Sequence, residues 1–111
     1  MLTLMRPETL GRAAFTPASV ELLLQREQRV DDGEVIARPG LARSVATYRA
    51  LGWSVEVTAA GDIVQHSGSN SSGFRTFGQF NRDTGSGLVI FTNGANGSRV
   101  REAILAQIGD L

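Results

Sequence analysis

The 111-residue sequence predicts an α+β segment in which an antiparallel sheet of three to four strands is flanked by a C-terminal helix. Three observations lead there. Apolar and polar residues alternate from Trp53 to Thr58, and further strand-like runs follow over 63–67, 74–80 and 88–91. Clusters of Gly, Asn, Asp and Ser separate these runs. Apolar residues at helical spacing close the chain. A hydrophobic share of 41% marks a chain that can fold, not a disordered tail. At this length it is one segment with a small core, burying about two thirds of the surface its unfolded form exposes.

Residues 1–15 form a poorly defined lead without a period, and 16–50 read as helix and loop. Thr16-Pro17 is a helix start, a capping hydroxyl followed by proline at the first helical position. Val20, Leu23 and Leu24 share one face of a helix from about Ala18 to Arg26. Asp31-Asp32-Gly33 is a turn within a polar stretch that reads as loop to about Ala46. Residues 51–111 hold the sheet and terminal helix. Trp53, Val55 and Val57 define one face of the first strand. Ile63–Ser67 is the second strand and Phe74–Phe80 the third, with Phe77 on the opposite face from Phe74 and Phe80. Asn81–Gly85 makes a hairpin connection, and Leu88–Phe91 reads as a strand buried on both faces. Ser98 caps a helix that carries Val100, Ile104, Ile108 and Leu111 on one face. Trp53 and the phenylalanines 74, 77, 80 and 91 read as core and sheet-face residues.

Composition removes several chemistries. All 11 basic residues are arginine, balanced by 11 acidic ones, so no basic face for nucleic acid is expected. Without lysine there is no Schiff base, no lysine general base and no phosphate-loop lysine. Without cysteine there is no thiol nucleophile or zinc cluster, and a single histidine, His66, cannot build a multi-histidine metal site. No cofactor, metal or membrane span is expected.

The chemically unusual segment is His66-Ser67-Gly68-Ser69-Asn70, where a strand delivers an imidazole and hydroxyls and then ends in small residues. Small residues allow close approach to the backbone, and free N–H groups at a strand end can hold an anion. Neighbouring residues on a strand point to opposite faces, so His66 is not placed to activate Ser67. No Gly-x-Ser-x-Gly elbow is present.

His66-Ser67-Gly68, Gly73-Phe74, the Asn81–Gly87 turn, Leu88–Asn93 and the closing helix together resemble the third-motif region of the serine β-lactamase and penicillin-binding-protein family. The likeness is nearest to class C β-lactamases and related esterases and D-aminopeptidases. Leu51-Gly52-Trp53 and Thr16-Pro17-Ala18-Ser19-Val20 extend it from about Phe15 to the end. The resemblance implies that His66 stands where the family has lysine, and that Ser67 holds a substrate carboxylate or carbonyl. It implies that Gly68 leaves room for substrate, and that the Ser69 N–H is half of an oxyanion hole. Asn96 and Arg99 resemble an Asn-x-x-Arg pair that assists carboxylate recognition. A histidine in place of the third-motif lysine favours esterase or peptidase chemistry over efficient β-lactam hydrolysis.

Two departures qualify what the chain can do. The family's Ser-x-x-Lys motif needs a lysine, and its Tyr-x-Asn motif needs an asparagine where Tyr48 is followed by Arg49-Ala50. The expectation is therefore a C-terminal part of a β-lactamase-related hydrolase, with no complete catalytic set in this chain. It would meet a small-molecule or peptide substrate only in the full-length parent, and the isolated chain would self-associate. The alternative is a stand-alone non-catalytic module that binds a partner or its own copies.

Overall fold

A computed structural model describes residues 2–5, 15–30 and 44–109. It is α+β, with a six-stranded antiparallel sheet among the described residues and a C-terminal helix. The strands are β1 Gln28–Val30, β2 Ala46–Arg49, β3 Ser54–Thr58, β4 Gly61–Ser69, β5 Arg75–Asn81 and β6 Ser86–Thr92. They lie in chain order, each antiparallel to its neighbour. The helices are α1 Leu2–Met5, α2 Pro17–Leu24 and α3 Gly97–Ile108.

The sheet has two more strands than the upper sequence estimate, and the physical reason lies in β1 and β2. Strand β1 is three residues long, with Gln28 and Arg29 exposed, and Ala46–Arg49 has no residue that is fully buried. Both are held by backbone pairing to the β3 side of the sheet, which leaves no hydrophobic alternation to read. The Asp31-Asp32-Gly33 turn lies outside the described residues.

Register explains the core. Tyr48, Val55, Val64 and Phe80 are successive cross-strand partners and form one row across β2–β5. Helix α2 lays Val20 and Leu24 over this row, and Leu4 of α1 joins them. Thr16 caps α2 as expected, its Oγ1 accepting the Ser19 N–H at 3.1 Å. The helix stops at Leu24, two residues before the expected end. Arg82 of the β5–β6 connection pairs with Glu21 of α2, and this guanidinium holds the Glu21 carboxyl below the usual carboxylate range. Arg26 forks onto Asp62 at 2.6–3.1 Å, tying the chain after α2 to the start of β4.

On the other face, α3 sets Leu105 and Ile104 against Phe77, Ile90 and Leu88. This corrects two expectations. Strand β6 is not buried on both faces: Val89 and Phe91 point away from α3 and are exposed, while Ile90 is buried. Among the described residues only the face toward α3 gains a cover. The inward stripe of α3 is also rotated from the predicted one, since Val100 and Ile108 are exposed. The helix starts at Gly97, with Asn96 rather than Ser98 in the capping position and no side-chain cap bond. Gly97 fixes that start, because a Cβ there would lie 1.9 Å from Thr92 Oγ1 and 2.7 Å from Arg75 Cβ. Phe74 falls just outside β5 and is exposed.

Candidate functional site

Strand β4 carries the candidate residues, and its period of two separates them. His66 lies on the α2 face beside Trp53, with ring centroids 6.1 Å apart at 78°. Trp53 in turn meets Phe80 edge-on at 5.7 Å, so the imidazole is the outer member of an aromatic series rooted in the core. Ser67 is on the opposite face, directly across from Phe77 and on the α3 side. The two side chains do not form a nucleophile–base pair, in agreement with the sequence.

What unites residues 66–69 is a strand edge. The last β3–β4 pair is Ser54 with Gln65, whereas β4 stays paired with β5 as far as Ser69 with Arg75. The Asn70 N–H donates to the Phe74 carbonyl at 3.3 Å, which makes that a hydrogen-bonded pair. Hydrogen-bonded and non-hydrogen-bonded pairs alternate along an antiparallel ladder. The N–H and C=O groups of Ser67 and Ser69 therefore point away from β5, toward the side where β3 has ended. A turn built on Asn70 closes this end: its Oδ1 accepts the Phe74 N–H at 3.1 Å and the Ser72 hydroxyl at 2.9 Å. Gly73 completes the turn at φ 95°, a region open to glycine.

Gly68 does not border empty space on its side-chain side. A Cβ there would lie 2.6 Å from Thr76 Oγ1, so the glycine permits close packing of β4 on β5. On the α3 face, a cleft of about 210 Å³ is lined by Ser67, Ser69, Arg75, Phe77, Ser98 and Arg101, among others. The first turn of α3 thus lies across the cleft from the end of β4. Asn96 and Arg99 lie at this turn but are exposed and do not line the cleft.

Arg75 and Arg101 are the residues that sequence reasoning missed. Arg101 lies in the first turns of α3 and lines the cleft. It follows Gly97 by four residues, and that spacing puts both on one helix face. Once Gly97 is seen to press against a strand, Arg101 must face the sheet as well. No group of three or more His, Cys, Asp or Glu among the described residues is placed to hold a metal ion. No described helix is long and apolar enough to cross a membrane.

The strand bearing His66-Ser67-Gly68 is followed by a hairpin and then by the closing helix. The Beta-lactamase family model matches residues 4–110. The chain belongs to the Beta-lactamase family. Searches of curated proteins and of solved structures gave no significant match.

Proposed function

We propose that this chain supplies the third-motif wall of an acyl-transfer pocket in a β-lactamase-related serine hydrolase acting on a β-lactam, ester or D-amino-acyl amide. The observation that carries the reading is the bare edge of β4 at residues 66–69, within a chain that belongs to the Beta-lactamase family. His66 flanks that edge on one face and the Ser67 hydroxyl on the other. The Ser69 N–H, directed away from β5, is the candidate oxyanion donor, a contribution of roughly 2.7–4 kcal/mol in working enzymes. Asn96 and Arg99, at the neighbouring helix start, assist carboxylate recognition from outside the cleft. The nucleophile and its lysine base come from another segment, because this chain has no lysine. The chain alone accordingly shows no turnover of nitrocefin or a p-nitrophenyl ester above buffer. Saturable turnover, abolished by a covalent serine reagent, would overturn the proposal.

A second reading, a non-catalytic module that self-associates, draws on β6. Val89 and Phe91 are 48% and 79% exposed on one face of the sheet's terminal strand. An apolar edge of this kind is a template for pairing with another copy. The purified chain is expected to show concentration-dependent association by light scattering. A monodisperse monomer with a cooperative melt contradicts this reading.

A further inference from the structure

We propose that the Asn93-Gly94 step between β6 and α3 is a self-modification site, at which the chain converts its own asparagine into aspartate and isoaspartate. The inference concerns this chain alone and stands apart from the acyl-transfer reading.

The reaction is intramolecular. Hydroxide removes the Gly94 N–H proton, and the nitrogen attacks Cγ of Asn93. The new N–Cγ bond closes a cyclic imide as the Cγ–Nδ2 bond breaks and ammonia leaves. Water then opens either imide carbonyl, giving aspartate or isoaspartate. Ring closure needs an amide nitrogen not already committed to a hydrogen bond, and a following residue that lets it approach. It also needs a backbone free to turn into the ring.

The chain holds two Asn-Gly steps, Asn93-Gly94 and Asn96-Gly97, and the fold separates them. Asn93 and Gly94 are exposed. Among the described residues neither the Asn93 side chain nor the Gly94 N–H has a hydrogen-bond partner. Nothing lies within 4 Å of the position a Gly94 Cβ would take. The chain is held on both sides of this step. Thr92 closes β6 with its hydroxyl donating to the Arg75 carbonyl at 3.0 Å, and the Gly97 N–H donates to the Gly94 carbonyl at 2.9 Å. Ring closure at Asn93 therefore uses a nitrogen that the fold leaves spare.

Asn96-Gly97 fails every condition. Its glycine N–H is the donor of that 2.9 Å bond. The Asn96 carbonyl accepts the Arg99 and Val100 N–H groups at 3.0 and 3.3 Å, which holds Asn96 at φ −84° and ψ 5°. Gly97 is buried against Thr92 and Arg75 and has no room to turn. Conversion of Asn93 adds one negative charge to a chain in which 11 basic residues balance 11 acidic ones. The isoaspartate product also lengthens the main chain by a methylene just before α3, the helix that packs on Phe77 and Ile90.

The test incubates the whole chain over days in warm, mildly alkaline buffer. Ion exchange follows the acidic form, and peptide mass mapping follows each asparagine. In the native chain Asn93 should convert at least about tenfold faster than Asn96. In urea, where the bonds that lock Asn96 are lost, the two rates should converge to within about threefold. Gly94→Ala, which the open space around Gly94 accommodates, should slow conversion at Asn93 by at least about tenfold. Asn93→Gln should abolish the early acidic form. An Asn93 that stays intact, native rates that match at the two sites, a difference that persists unchanged in urea, or a Gly94→Ala protein that converts like wild type would each overturn the proposal.

Discussion

Phe80→Ala lowers the free energy of unfolding by about 3–5 kcal/mol, the range for deleting a fully buried aromatic ring. Phe80 has no exposed surface and sits in the row Tyr48–Val55–Val64–Phe80 beneath α2. Its ring also supports Trp53 edge-on, so truncation leaves a cavity and loosens a second aromatic. A domain of this size has only about 5–15 kcal/mol to lose, and many Phe80→Ala molecules should be unfolded at 37 °C. Phe91→Ala is the control: the residue is 79% exposed on β6, and its truncation should change stability by no more than about 0.5 kcal/mol. Urea denaturation of both variants at one protein concentration checks the pair. Equal losses would mean that the core row is misplaced.

The centre of the fold was legible because its apolar side chains alternate between faces packed by different helices. Trp53 and Val55 share the face of β3 that packs into the α2 cluster, and Phe77 and Phe80 fall on opposite sides of β5 because α3 and α2 cover opposite faces. Strands β1 and β2 escaped detection for the converse reason. Residues such as Gln28, Arg29 and Arg49 are exposed, and their strands exist through backbone bonds that any side chain permits. The apolar run Leu88–Phe91 misled in the other direction. A continuous hydrophobic run ordinarily signals cover on both faces, yet here Val89 and Phe91 have none among the described residues.

The candidate site was legible in part. A period of two is enough to place His66 and Ser67 on opposite faces, and the sequence holds no lysine for a Ser-x-x-Lys motif. The arginine-lined cleft was not legible, because it depends on which side of α3 meets the sheet. The apolar residues of that helix suggested a stripe through Val100 and Ile108, whereas the contact runs through Gly97, Arg101, Ile104 and Leu105. The close approach of Gly97 to Thr92, a tertiary fact, decides the rotation.

The central claim is that the bare edge of β4, with His66 beside it, lines an acyl-transfer pocket. His66 is exposed, touches Trp53 only edge-on and faces Gly78 across the ladder, so it has little packing to lose. The direct measurement is His66→Ala in the full-length parent that the proposal requires, with kcat/KM and Tm read on the same preparation. The account predicts a fall in kcat/KM of at least about tenfold, a transition-state loss near 1.4 kcal/mol, with stability changed by no more than about 0.5 kcal/mol. An unchanged kcat/KM per folded molecule together with a lower Tm would contradict it, leaving His66 a structural residue and removing the case for Ser67 and Ser69 as its neighbours in a pocket.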